Sequence, residues 1–240
     1  MKIGLAVAAN DDQRIIKLVR SLESQGLKTA FIIYCFGENK FIFYLKRLLR
    51  CLRHRSFKGF LFGHFLPLRN SRIYYSTKIN SRQALRIFLK EKPEIVIVYG
   101  CGIIGQKLCE LFPKIFINAH AGKLPEFRGM NSVEWTYFEN QDLFGTIHFI
   151  AKQIDTGEII YEEKIAKLKP PTNIDKIRAD AFDKVWLMVP KALKVLQRKD
   201  FVLSKQSQKR TTRYIMHPYL KHLLNLKLAK KEDERQGFKK

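Results

Sequence analysis

The sequence predicts an α/β fold with an open, mostly parallel, doubly wound sheet, and two observations support this prediction. Short apolar runs recur along the chain, and helical segments with apolar residues three and four positions apart separate most of them. The first runs lack polar alternation, which is typical of parallel strands covered on both faces. Strands that alternate with helices in this way favour a parallel sheet over a sandwich or a bundle.

The first half of the chain supplies four predicted strands and the helices between them. The strands are residues 2–8, 29–36, 72–79 and 93–100. The helices are residues 12–26, the basic stretch 40–58 and residues 80–92. Asp11 or Asp12 can cap the first helix, and Asn80 or Ser81 can cap the last.

The second half continues the alternation and ends in a Lys-rich segment. It predicts strands at residues 114–120, 145–150 and 158–168, a helix that begins near Asn131, and one long amphipathic helix at 173–197. We therefore expect one domain over residues 1–198 and a helical, basic C-terminal extension over residues 199–240.

The composition is that of a globular chain that can bury a sizeable core within 240 residues. No apolar run is long enough to span a membrane, and the first residues are typical of a strand rather than of a secretion signal. The four cysteines show no C-x-x-C spacing. They favour reduced thiols in a cytoplasm and argue against a zinc site, so we expect no metal.

The net charge of +23 attracts polyanions but does not choose among them. Residues 46–58 contain no acidic side chain, and residues 205–240 carry eleven basic and three acidic ones. The sequence leaves three explanations of these basic stretches open. These stretches are solvated surfaces, they steer a phosphorylated substrate, or they bind nucleic acid or a membrane surface.

Polar side chains stand at the end of the strand at residues 114–120, among small neighbours that leave space. These side chains are Asn118 and His120. A third polar residue, Asp155, lies in the turn after the strand at residues 145–150, which we expect to neighbour the strand that carries His120. An imidazole with an orienting carboxylate can act as a general base, and a carboxamide can donate to a developing oxyanion. Taken singly, His120 is also explained as a structural histidine and Asp155 as a turn residue.

The ordered string N-x-H-x-G-x-L-P-x-x-R-G at residues 118–129, with I-D-T-G at 154–157, resembles the folate-dependent formyltransferases. The resemblance is specific over residues 94–160 and weaker over the first strand and helix. It implies a Rossmann-like formyltransferase sheet and N10-formyltetrahydrofolate as the formyl donor. It also implies that Asn118, His120 and Asp155 are the catalytic residues.

The same resemblance implies where the folate binds. In the family the pterin contacts mainly backbone groups of two segments, which correspond here to Cys101, Gly102, Ile103, Ile150 and Lys152. Glycine lets a flat ring approach the backbone closely. The turn into the next helix explains Gly100 and Gly102 equally well.

Three acceptor classes occur in the family. Methionyl-tRNA formyltransferase carries a further C-terminal β-barrel, which the Lys-rich residues after 198 do not fit. The glycinamide ribonucleotide enzyme has a glycine-rich phosphate loop, where this chain reads AVAANDDQR. The stretch FRGMNSVEW is most similar to the nucleotide-sugar N-formyltransferases.

We therefore expect a nucleotide-diphosphate amino sugar as acceptor, most simply dTDP-4-amino-4,6-dideoxyglucose for O-antigen or another surface polysaccharide. The residues expected to contact it are Asn10, Lys78 and Arg128. Family analogy predicts a homodimer, and nucleic acid is not expected to bind. The alternatives are a methionyl-tRNA formyltransferase-like enzyme and a basic RNA-binding module with an inactive formyltransferase core.

Overall fold

A computed structural model describes residues 1–8, 12–37, 71–165, 173–198, 200–207 and 212–237. Within these ranges, seven strands form one sheet in the order β3-β2-β1-β4-β5-β6-β7. The strands are β1 (Ile3–Ala8), β2 (Thr29–Cys35), β3 (Arg72–Ser76), β4 (Ile95–Tyr99), β5 (Phe116–His120), β6 (Phe144–Phe149) and β7 (Ile159–Lys164). The helices are α1 (Asp12–Glu23), α2 (Arg82–Glu91), α3 (Gln106–Leu111), α4 (Ser132–Phe138), α5 (Ile174–Trp186), α6 (Val189–Leu196) and α7 (Pro218–Gly237).

The chain divides into two compact units, Met1–Asn118 and Ala119–Lys240. In the first unit, β1 lies between β2 and β4 and runs parallel to both. Its apolar residues are almost fully buried, because helices cover a parallel sheet on both faces. Gly4 is required there, since a Cβ would lie 2.4 Å from the ring of Phe31.

The second unit contains an antiparallel pair, β6 and β7, and the C-terminal helices. Gly145 of β6 leaves room for Met188, whose sulfur would lie 2.5 Å from an added Cβ. Helix α7 packs against α4 and α5 and buries Leu224 and Leu228. Residues 200–207 also belong to this unit, where Ser204 pairs with Ile159 at the start of β7.

The structure confirms the predicted fold class, because β1 pairs in parallel with β2 and β4, β2 with β3, and β4 with β5, while β6 and β7 are antiparallel. The boundary predicted after residue 198 stays a prediction. The helix predicted at residues 40–58 and the cap at Asp11 lie outside the described residues.

One predicted element is wrong, because residues 173–197 form two helices rather than one. Helix α5 ends at Trp186, and α6 begins at Val189. Pro190 lies in the first turn of α6. The backbone N–H groups of a first turn have no acceptor within the helix, so proline, which lacks an N–H, is tolerated there. Farther inside a continuous helix the same residue would remove a hydrogen bond, so a new helix begins instead.

In the part of the chain that the structure describes, no helix has the length and apolar content needed to cross a membrane.

Candidate active site

His120 is the last residue of β5, and the loop that follows encloses its imidazole. Only 7% of the residue is exposed. The ring Nε2 lies 2.8 Å from the carbonyl oxygen of Phe127. Because a carbonyl only accepts, Nε2 carries the hydrogen, and Nδ1 is the nitrogen that can gain or lose a proton. A Cβ at Gly122 would lie 2.9 Å from Nε2, so glycine leaves the space that this ring position needs.

Asp155 lies in the turn after β6 and faces this ring. Its Oδ2 is 3.5 Å from Nδ1 of His120. The backbone N–H of Gly129 donates to the same oxygen at 2.9 Å. The φ of Asp155 is 52°, in the left-handed region that residues other than glycine seldom adopt. The structure therefore brings together two of the three residues expected to be catalytic.

A second imidazole, that of His148 on β6, faces the other oxygen of Asp155. Its Nε2 lies 3.5 Å from Oδ1, and the residue is 1% exposed. Its Nδ1 lies 2.8 Å from the carbonyl oxygen of Phe149 and therefore carries the hydrogen. His148 was not among the site residues expected from the sequence. The pattern Thr146-x-His148 was available, since it places two polar residues on one face of a strand that is otherwise apolar.

Burial and the electrostatic attraction between the imidazoles and the carboxylate shift the pKa values of His120 and Asp155 in opposite directions. Burial lowers the pKa of His120, and His148 lowers it further, while the carboxylate of Asp155 and the carbonyl of Phe127 partly oppose these effects. Burial would raise the pKa of Asp155. The two imidazoles and the N–H of Gly129 outweigh it and hold that pKa well below its usual range. At neutral pH, Asp155 is therefore ionised and His120 is neutral.

Asn118 lies on β5 two residues before His120, so the two side chains point to the same face of the strand. The positions expected to bind folate fall into two groups. In the first unit, Gly102 and Ile103 are exposed after β4, and Gly102 has a φ of 89°. In the second unit, Ile150 is half-buried and Lys152 is exposed in the turn after β6.

Side-chain and backbone contacts fix the segment that follows β4. The amide of Asn80 accepts from the N–H of Gly105 at 2.7 Å and donates to the carbonyl of Ile103 at 2.8 Å. The thiol of Cys101 lies 3.6 Å from the carbonyl oxygen of Ala6. The loop is therefore held at both ends while the backbone at Gly102 stays open, with no heavy atom within 4 Å of an added Cβ.

The residues expected to contact the acceptor differ in their surroundings. Asn10 lies outside the described residues, and Lys78 is exposed after β3. Arg128 is only 2% exposed. Its Nε and Nη2 donate to Oε1 of Gln206 at 3.0 Å and 2.8 Å, and Nη2 also donates to the carbonyl of Ser207 at 2.8 Å. No pattern in the Lys-rich C-terminal segment indicated Gln206.

The arrangement of His120, His148 and Asp155 can take up and release a proton. The imidazole of His120 donates its Nε2–H to a carbonyl, so Nδ1, which faces Asp155, is the nitrogen that can take up a proton. A proton held there would lie beside an ionised carboxylate, which stabilises it. Among the residues that the structure describes, no group of three or more His, Cys, Asp or Glu side chains could hold a metal ion.

Comparison with known proteins gives this geometry a context. Residues 65–183 match the family described as formyl transferase. A methionyl-tRNA formyltransferase of Desulforamulus reducens is 35% identical over 92 residues, which cover 38% of this chain and 29% of that protein. A homologue from Thermotoga maritima is 26% identical over 136 residues, or 56% of this chain and 43% of that protein. The chain thus spans less than half the length of both relatives.

Solved structures share the fold at low sequence identity. A sugar N-formyltransferase from Shewanella superposes with a TM-score of 0.61 at 15% identity, covering 95% of this chain and 88% of that chain. A phosphoribosylglycinamide formyltransferase from Anaplasma phagocytophilum gives 0.59 at 14%, covering 89% and 99%. The formyltransferase PseJ from Anoxybacillus kamchatkensis, solved with UDP-4,6-dideoxy-4-formamido-L-AltNAc and tetrahydrofolate, gives 0.51 at 14%, covering 88% and 85%.

Proposed function

Because the chain belongs to the formyltransferase family through residues 65–183, we propose that it is an N-formyltransferase. It moves a formyl group from N10-formyltetrahydrofolate to the amine of a nucleotide-linked amino sugar. The observation that carries this proposal is the 3.5 Å approach of His120 Nδ1 to Asp155 Oδ2, within the matched region. A neutral imidazole beside an ionised carboxylate is the base that an attacking amine needs near neutral pH.

In this reaction His120 receives a proton from the acceptor amine at Nδ1, as the amine attacks the formyl carbon. The carboxylate of Asp155 stabilises the imidazolium that forms, directly or through one water molecule, since 3.5 Å exceeds a normal hydrogen bond. Asn118 donates to the formyl oxygen while negative charge develops on it. The bond from the formyl carbon to N10 breaks, and the proton passes to that nitrogen.

The donor supplies the activated formyl group, and the protein supplies an open backbone segment for its flat ring. Gly100 and Gly102 have φ values of 63° and 89°, so side chains are disfavoured at both positions. A Cβ at Gly102 would meet no heavy atom within 4 Å, which leaves the space over this backbone free. These observations fit backbone recognition of a pterin by Cys101, Gly102 and Ile103. Ile150 and Lys152 complete the proposed contacts.

Sequence features favour a nucleotide-sugar acceptor, with dTDP-4-amino-4,6-dideoxyglucose as the first candidate and surface polysaccharide synthesis as its use. The loop after β1 contains no glycine for a monophosphate. A net charge of +23 suits a diphosphate. The fold is compatible with this acceptor, because sugar N-formyltransferases share it, as do phosphoribosylglycinamide formyltransferases.

Methionyl-tRNA is the second candidate acceptor, and the sequence relatives favour it. The matched relatives of 35% and 26% identity are both methionyl-tRNA formyltransferases. The basic composition is compatible with a polyanionic acceptor of this kind.

The decisive experiment incubates the protein with N10-formyltetrahydrofolate and a panel of acceptors. The panel contains dTDP-, GDP- and UDP-linked amino sugars, glycinamide ribonucleotide and methionyl-tRNA, and mass spectrometry detects one added formyl group. We expect transfer to a 4-amino-4,6-dideoxy sugar nucleotide. Transfer to methionyl-tRNA alone would replace the sugar proposal with the second candidate, and no transfer to any acceptor would contradict both.

A further inference from the structure

Gln206, which lies in the segment between α6 and α7, joins two loops of the second unit. Its Oε1 accepts from Nε and Nη2 of Arg128 at 3.0 Å and 2.8 Å. Its Nε2 donates to the carbonyl oxygen of Gly157 at 2.6 Å. A guanidinium only donates and a carbonyl only accepts, so these partners fix which end of the amide faces which loop.

These bonds close a ring around the proposed catalytic carboxylate. Arg128 precedes Gly129, whose N–H donates to Oδ2 of Asp155 at 2.9 Å. Gly157 follows Asp155 by two residues in the same turn. The path from Arg128 through Gln206, Gly157 and Asp155 to Gly129 therefore returns to its start. Moving either loop away from the other breaks at least one bond of the ring.

The turn that carries Asp155 needs such support. Asp155 has a φ of 52°, a conformation that persists where surrounding contacts over-determine it. A Cβ at Gly157 would lie 1.8 Å from the carbonyl oxygen of Phe149, so the turn is packed tightly against the end of β6. The opposite loop is also held, since the N–H of Arg213 donates to the carbonyl of Arg128 at 2.8 Å.

We propose that Gln206 is a positioning residue that holds Asp155 against His120, a role that rests on the proposed formyl transfer. The side chain bonds Arg128 and Gly157 and acts through the two loops that these residues belong to. A positioning error of about 1 Å at a catalytic group can cost about a hundredfold in rate, so a bond that fixes this turn affects turnover rather than substrate affinity.

The chemistry of the two contacts suggests variants that separate them. Gln206→Glu keeps an acceptor for Arg128 and loses the donor to Gly157. Gln206→Met removes both bonds at similar volume. Lys205→Ala is the matched control, because Lys205 is the exposed neighbour in the same segment. The three proteins are compared with the wild type by thermal unfolding before any assay.

We expect kcat to fall about 10- to 100-fold in Gln206→Met, with the KM values of donor and acceptor within about twofold of the wild type. Gln206→Glu should also lower kcat, because its carboxylate has no hydrogen for Gly157. Lys205→Ala should match the wild type. In the double variant Arg128→Met/Gln206→Met, kcat should fall no further than in the single variants, because both belong to one ring.

A readout without substrates tests the same idea. Hydrogen exchange of the Gly129 amide, followed by NMR, should be at least tenfold faster in Gln206→Met and unchanged in Lys205→Ala. Wild-type exchange at Gly129, an unchanged kcat, or an effect on KM alone would overturn the positioning role. If the wild type transfers no formyl group to any acceptor, the proposed function fails, while the exchange measurement still decides whether Gln206 holds Asp155 and Gly129 together.

Discussion

Single residues set the chemistry of the proposed site, and His120 and Asp155 matter most. Both are largely buried, and each is fixed by a backbone partner, Phe127 for the imidazole and Gly129 for the carboxylate. Without the carboxylate, the imidazolium formed during transfer would lose its stabilising charge. Without the imidazole, no other side chain on β5 could take the proton.

We predict that His120→Ala and Asp155→Asn each lower kcat/KM for formyl transfer by a factor of about 100 or more, because general-base catalysis contributes about 10²- to 10⁴-fold. Both proteins should stay folded by circular dichroism. The control is His222→Ala, which changes an exposed histidine of α7. Turnover within twofold of the wild type in either site variant would remove this mechanism.

A second prediction at the scale of single residues follows from the pKa of His120. Its pKa lies below the ordinary value of 6.5, chiefly because it is buried. Since the neutral form is the base, activity should be retained at neutral pH and lost only below pH about 6.5.

Removing the charge of Asp155 should lower the pKa of His120 further, because that carboxylate favours the imidazolium. NMR titration of the imidazole signals of the wild type and Asp155→Asn measures this shift, and His148, which also faces Asp155, is assigned separately. A His120 signal that titrates at higher pH in the variant would contradict the electrostatics described above.

Secondary-structure elements were predicted well where local sequence decides them. The apolar runs of β1, β2 and β4 are buried strands, and Ser81 caps α2 as one of the two expected residues. The predicted helix at 173–197 was wrong because its apolar periodicity continues across the break at residues 187–188. Periodicity reports the buried face and says little about where a helix restarts.

We predict that Ser81→Ala lowers the free energy of unfolding by about 1 kcal/mol, the usual cost of losing an N-cap. The hydroxyl of Ser81 accepts from the N–H of Ala84 at 3.0 Å. Ser81→Asp, which keeps an accepting oxygen, should lose less. Urea denaturation of the two variants measures the difference. Equal stability of Ser81→Ala and the wild type would show that this cap contributes nothing.

At the scale of the whole molecule, helix α7 exposes large apolar side chains to solvent, and no contact among the residues that the structure describes accounts for their exposure. Tyr219, Leu223 and Leu226 are 63%, 38% and 54% exposed, and their spacing places them on one side of the helix. The opposite side buries Leu224 and Leu228 in the second unit. The homodimer expected from family analogy would cover this surface.

We predict that the protein sediments as a dimer at micromolar concentration and that Leu223→Asp shifts it to monomer, because a charge would be buried in the interface. Leu89→Asp is the matched control, since Leu89 is an exposed leucine on a helix of the first unit. Sedimentation velocity distinguishes the states. A monomeric wild type, or dissociation of Leu89→Asp alone, would contradict an interface on α7.

The sequence by itself determined the alternating strands and helices, because buried strands need apolar runs and helices need a periodic apolar stripe. It also indicated Asn118, His120 and Asp155, since their residue types and order match a known pattern. Only the tertiary structure revealed that His148 faces Asp155 and that Gln206 joins two loops. Their roles depend on contacts with residues distant in the chain, such as Gln206 with Arg128, and no local pattern encodes which distant groups meet. Burial, which lowers the pKa of His120, likewise exists only once the chain has folded around it.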